Sequence, residues 1–337
     1  MSKAAVDKNV DVQGIEIANP LYDVVFKHLM ENTRVASYFI ETFIGEKVEN
    51  LTLLAQESTY FKWLETYDKL ELEPEDLELL KKITVIRLDF VATIKTEDGE
   101  YKKVLIEIQK ARDTADVMRF RTYLAEQYKR KEAITVDNKT ETEPLPIITI
   151  YLLGFNLLES DAVVLRVGRF CYDMIENKTV NVKIPLVEKL THDCYMVQLG
   201  RITGKMQTRL EKVLSVFEQR YFINTKKKTA KKYPHATDDV TVCLMLKILE
   251  HINADPKLRS DIEAEWATHD VLNTMVIDKE KKIRKQAKTI EAQTKTIEAK
   301  DKTLKAKDKT LKAKDKALTK ANAKIKELEE LLKYGNS

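Results

Sequence analysis

Alternation of apolar and polar positions is sharpest between Lys82 and Lys110, where it predicts a β-hairpin. On the outward strand Ile86, Leu88, Phe90, Ala92 and Ile94 share one face, and Asp89 points to the other. On the return strand Val104, Ile106 and Ile108 are apolar against Glu107 and Gln109. Each strand is therefore expected to keep one face in water. The turn falls in Glu97-Asp98-Gly99, and its length decides the register. A two-residue Asp98-Gly99 turn would set Asp89 opposite Ile108 and Phe90 opposite Glu107, mixing the faces. A three-residue loop with Gly99 in the left-handed position sets Phe90 against Ile106, Ala92 against Val104 and Asp89 against Glu107. That register sorts the faces, so it is the one expected.

Upstream, Val24, Val25, Leu29, Phe39, Ile40 and Phe43 follow helical spacing from Asn19-Pro20 to a stop at Gly45. Asp23 and Lys27 lie four apart on that helix, the spacing of an ordinary ion pair. Leu51-Thr52-Leu53-Leu54-Ala55 is a candidate first strand, and Ser58 to Lys82 reads as an acidic, partly helical insertion. Beyond the hairpin, Asp113-Thr114 is a cap for a basic helix from Ala115 to about Ala133. The apolar run from Ile147 to Phe155, behind Pro144 and Pro146, reads as a buried strand. Helix, strand, hairpin, helix and strand in this order predict an α/β core over residues 19–155, a mixed sheet flanked by helices, after a flexible 1–18. Residues 156–278 are expected to be mainly helical, with helical patterns over Met206 to Asn224, Val240 to Ile252 and Ile262 to Val276. Lys226-Lys227-Lys228 with Lys231 and Lys232 reads as a solvated connector, ahead of the alternative of a DNA-backbone contact.

Residues 279–337 form a lysine-rich tail with an apolar residue at every seventh position from Ile283 to Leu332, the pattern of one long helix. The positions that would complete a coiled-coil seam hold Ala287, Thr294, Asp301, Asp308, Asp315, Asn322 and Glu329. Self-association through this helix is expected to be weak.

Charged residues make up 33% of the chain, much of it in the tail, and the net charge of +4 is too small to imply a nucleic-acid partner by itself. Cys171, Cys194 and Cys243 form no CxxC pair, which argues against a zinc cluster and for a reducing compartment. His192 next to Asp193, and His235 near Asp238, lack further ligands at metal spacing and read as isolated surface histidines. The start has no apolar leader and no later run is long enough to span a bilayer, so a cytoplasmic protein without a membrane partner is expected.

The chemistry lies in the hairpin. Opposed residues have Cβ atoms about 4.5–5.5 Å apart, and like charges there are destabilising unless neutralised. A divalent cation bound by Asp89 and Glu107 would neutralise them, and Mg²⁺ takes oxygen ligands of this kind together with phosphate oxygens. Such a site suits phosphodiester hydrolysis.

The spacing Asp89-x17-Glu107-x-Gln109 resembles the Glu-x-Gln variant of the PD-(D/E)xK nuclease core. More closely, the chain resembles the recombination-promoting nucleases (Rpn), or PD-(D/E)xK nuclease-family transposases. Asp23-Val24-Val25-Phe26-Lys27 is similar to that family's amino-terminal Asp-x-x-Phe-Lys helix, and Arg119-Phe120-Arg121-Thr122-Tyr123-Leu124 to its helix after the hairpin. The likeness covers roughly the first half of the chain. It implies a restriction-endonuclease-like fold and a DNA endonuclease acting in recombination or transposition. The cofactor would be Mg²⁺, with Mn²⁺ as alternative ion. The catalytic set implied is Asp89, Glu107, Gln109 and Asp23, with Asp89, Glu107 and Ile108 as the metal positions. The DNA contacts expected are Lys27, Arg119, Arg121 and Tyr123, since basic side chains with interleaved tyrosines on the helix beside the hairpin suit phosphate contacts. Gln109 stands where the wider superfamily has lysine. An amide accepts no proton at neutral pH, so Gln109 is assigned to orienting water. The competing expectation is a catalytically inactive DNA-binding or assembly protein on the same fold.

Overall fold

The computed structural model describes residues 12–54, 90–109, 114–136 and 139–334. In chain order these form β1 (Glu16–Ala18), α1 (Asp23–Glu31), α2 (Thr33–Ile44), β2 (Val48–Leu53), β3 (Phe90–Thr96), β4 (Tyr101–Gln109), α3 (Thr114–Lys129), β5 (Glu132–Val136), β6 (Lys139–Glu143) and β7 (Ile147–Leu153). They continue as β8 (Val164–Val167), β9 (Cys171–Asp173), β10 (Lys178–Val180), α4 (Pro185–Leu190), β11 (His192–Gln198), α5 (Arg209–Ser215), β12 (Ala230–Lys232), α6 (Val240–Ala254) and α7 (Pro256–Tyr334). The chain is mixed α/β. Its main sheet has six strands in the order β2-β3-β4-β7-β11-β8. β4, β7 and β11 run parallel, while the β2, β3 and β8 pairings are antiparallel.

The hairpin adopts the face-sorting register. Phe90 pairs with Ile106, Ala92 with Val104 and Ile94 with Lys102. Gly99 sits at φ 85°, its N–H donating to the Thr96 carbonyl at 2.9 Å, while the Thr96 N–H donates to the Glu100 carbonyl at 2.9 Å. This is a type I turn followed by a glycine bulge. Nothing lies within 4 Å of a Cβ built on Gly99, so only backbone conformation resists substitution. Gly99→Ala is expected to destabilise the fold by about 1–2 kcal/mol, with Gly99→Asn costing less, as read by chemical denaturation.

The expectation of one wet face is wrong. Phe90, Ala92, Ile94, Val104, Ile106 and Ile108 join the large core with α1, α2 and α6. On the opposite face Val91, Leu105 and Ile147 pack with Phe120 and Tyr123 of α3. A strand between two helical layers is buried on both sides, polar residues included.

Other boundaries also shift. The predicted first helix is two, because the Asn32 side chain accepts from the Val35 N–H and caps α2 separately; Gly45, at φ 72°, ends it. The basic helix stops at Lys129, and Ala133 belongs to a β5–β6 hairpin. Ile147–Leu153 is a buried strand as expected. The α/β core does not end near Phe155, however. β8 and β11 come from residues expected to be helical, and of Met206 to Asn224 only Arg209–Ser215 is α-helix. The acidic insertion, Ser58 to Lys82, lies outside the described residues.

The basic connector is partly a strand: β12 pairs with β1, and Lys231 is buried at 2% exposure. Its Nζ donates to the carbonyls of Val216 at 2.7 Å and Glu218 at 2.5 Å, two acceptors that a neutral amine can satisfy. Burial lowers its pKa from 10.5 to about 7, against the raising effect of Glu218. Between those values the unfolded chain holds a proton that the folded chain has released, so this group makes stability rise with pH across the window. Relative to Lys231→Met, the unsubstituted protein should therefore gain stability from the lower to the upper end, as measured by denaturant titration at each.

Contacts divide the chain into two units, residues 1–268 and 269–337. The helix of the second begins upstream of Lys279, since α7 is continuous from Pro256. Among the described residues no helix is long and apolar enough to cross a membrane.

Candidate functional site

Glu107 and Gln109 occupy the carboxyl end of β4, beside Tyr151 and Leu153 of parallel β7. Carboxyl ends of parallel strands are where α/β sheets commonly bind ligands. Side chains alternate along β4: Lys103 and Leu105 meet α3, so Glu107 and Gln109, in the same row, face that helix. Both are buried, Glu107 at 2% and Gln109 at 9% exposure. The Gln109 carbonyl accepts from the Gly154 N–H at 2.8 Å, tying the end of β4 to the end of β7. The Tyr151 ring stacks edgewise on Phe120, centroids 4.2 Å apart. Burial pushes its hydroxyl pKa up, and the nearby Cys194 and Glu107 add to the shift.

An oxygen-donor pair on one strand face fits a hard cation in donor chemistry. The Ile108 side chain turns into the large core, so this residue could offer only its backbone. Asp89 lies outside the described residues, as do 110–113, which follow β4.

Asp23 and Lys27 belong to α1, on the sheet face away from the row that holds Glu107. Asp23 begins α1 and binds Lys27 Nζ at 2.5 Å, the i,i+4 pair that its spacing suggests. Buried residues of α1 join the core on the sheet face away from α3, whereas Glu107 lies in the row that faces α3. Tyr123 is not a surface contact. It is 3% exposed and packed with Val91, Leu105 and Phe120, because α3 turns its aromatic side to the sheet. Arg121 lies on the outer side and is exposed; the Arg119 side chain is outside the described set.

Sequence reasoning overlooked Lys103, 1% exposed, in the same row as Glu107. It forms an ion pair with Glu132 and a 3.2 Å hydrogen bond to the Gln127 side chain, fastening α3 and β5 to the sheet. Its place in the odd-numbered row of β4 was the available signal. The one carboxylate trio close enough to share a cation, among the described residues, is Glu46, Asp98 and Glu100, at the hairpin turn. That is the opposite end of β4 from Glu107, roughly 20 Å away at about 3.3 Å per residue. Lys102 binds both Glu46 and Glu100, and Lys183 also binds Glu100. These lysines supply the compensating charge.

The histidines are not isolated surface groups. His192 Nδ1 lies 2.9 Å from the Tyr128 hydroxyl, and His235 Nε2 lies 2.6 Å from Glu218. Neither belongs to a metal-ligand cluster among the described residues. Cys194 is buried, Cys171 and Cys243 are half-buried, and all three thiols are free.

Comparisons with protein-family models, curated proteins and solved structures return no match.

Proposed function

We propose that the chain is a metal-dependent DNA endonuclease of the PD-(D/E)xK type, similar to the recombination-promoting nucleases, with Asp89 and Glu107 as its metal-binding acids. The observation that carries this reading is the β3–β4 register. Phe90 pairs with Ile106, and one further step in the same ladder would bring Asp89 opposite Glu107. The element order supports it too: two helices, β2, the β3–β4 hairpin, α3 and parallel β7 follow the succession that the resemblance implies.

Asp89, Glu107 and the backbone of Ile108 would hold Mg²⁺ or Mn²⁺, which when bound supplies Lewis acidity toward a phosphate oxygen and acidifies water. Gln109 orients water through its amide and removes no proton. Arg121, and Arg119 on the same helix, bind backbone phosphates and position the strand without reading its sequence. Phe120, Tyr123 and Tyr151 keep the floor of the site dry, which strengthens charge interactions there.

One observation favours the alternative of an inactive DNA-binding or assembly protein: Glu107 is 2% exposed beneath α3. Plasmid nicking distinguishes the two. The active reading expects Mg²⁺-dependent nicking, abolished by chelation and by Asp89→Ala at unchanged DNA affinity. DNA binding without cleavage by the unsubstituted chain would establish the alternative.

A further inference from the structure

We propose that two copies of this chain associate through α7, parallel and in register, along the apolar row that begins at Ile283. Every seventh residue from Ile283 to Ile325 is isoleucine or leucine, and each is 52–64% exposed. On a straight α-helix a seven-residue repeat drifts by about 20° per heptad. Six intervals would carry the row roughly a third of the way around the helix. The row stays on one side only if the helix supercoils left-handedly about a partner. An uncoiled, solvated helix has no use for so strict a period.

The flanking charges select the partner and its direction. Three residues after Ile297, Leu304 and Leu311 stand Lys300, Lys307 and Lys314; four residues after them stand Asp301, Asp308 and Asp315. On a helical surface these offsets fall on opposite sides of the apolar row, giving a lysine row, a leucine row and an aspartate row side by side. Among the described residues none of these six charges enters an ion pair within its own helix. A two-fold axis along the helices sets the lysine row of each copy against the aspartate row of the other, on both flanks. Antiparallel association would set lysine against lysine and aspartate against aspartate. The aspartates that deny a second apolar seam are thus the specificity element of a parallel pair.

Three measurements on the full chain test this. Sedimentation across a micromolar concentration range should give twice the chain mass; the chain mass throughout would overturn the proposal. Ile283→Cys and Ile325→Cys, oxidised separately beside the unsubstituted chain as a control for its own thiols, should each form a covalent dimer alone. Cross-linking only when the two variants are mixed would mean an antiparallel pair and overturn the assignment. Changing Asp301, Asp308 and Asp315 to lysine should yield a monomer, as should changing Lys300, Lys307 and Lys314 to aspartate, and mixing the two should restore the doubled mass. Unchanged self-association of either triple variant would show that the charged rows play no part.

Discussion

The Glu107→Gln protein is expected to bind DNA as the unsubstituted chain does and to nick it about two to three orders of magnitude more slowly, the scale of losing one preorganised electrostatic contact at a reacting group. Glutamine keeps the volume and planarity of the side chain, so the packing of Tyr151 and Phe120 around position 107 should survive. What changes is the charge. The amide keeps an oxygen ligand but cannot neutralise a cation, and the retained Asp89 would hold one more weakly. The phosphate contacts proposed for α3 would be untouched, which is why affinity should persist while rate falls. Nicking rate, DNA affinity and thermal midpoint should be measured on one preparation. A fall in all three would mean a damaged fold, and an unchanged rate would remove Glu107 from the site.

The largest stability effect is expected from Phe39→Ala. Phe39 is fully buried on α2, its ring 5.0 Å from Phe43, 5.6 Å from Phe217 and 6.4 Å from Phe26. It joins α1, α2 and the segment after α5 in one aromatic cluster within the large core. Truncating a buried phenylalanine costs about 3–5 kcal/mol, because the cavity collapses only in part. Losing three ring contacts places this site toward the upper end. Against a net stability typically of about 5–15 kcal/mol, that is a large share. Thermal unfolding followed by circular dichroism should show the midpoint falling by roughly 10 °C. A shift of a degree or two would mean that the cluster repacks around the gap.

The hairpin register is legible in the sequence because two constraints coincide. The apolar parity of Phe90, Ala92 and Ile94 against Val104 and Ile106 allows one pairing, and Gly99 supplies the positive φ that the matching loop requires. The buried run Ile147–Leu153 is legible for a simpler reason, its unbroken apolarity. The location of Glu107 is less so. Glu107 and Gln109 read as a wet face, since parity reports which residues share a side and says nothing of what covers it. α3 covers it, and the polar groups on that side are accommodated individually, Lys103 by Glu132 and Gln127.

Residues 156–239 mislead differently. Strands of three or four residues, as in β8, β9, β10 and β12, are too short for alternation to register. Leu210, Val213, Leu214 and Phe217 carry helical spacing, yet the capping box at Thr208 and Glu211 opens a helix of only seven residues. Its basic neighbours make Tyr123 read as a DNA contact, although Phe120, Tyr123 and Leu124 already trace the inward stripe of an amphipathic helix.

Titration of Mn²⁺ into the full chain, followed by loss of the free-ion paramagnetic resonance signal, tests most directly whether Asp89 and Glu107 share a cation. We expect binding by the unsubstituted chain that is weakened in Asp89→Asn and in Glu107→Gln and unchanged in Glu100→Gln at the hairpin turn. Binding that survives both of the first two substitutions, or that disappears with Glu100→Gln alone, would contradict the account.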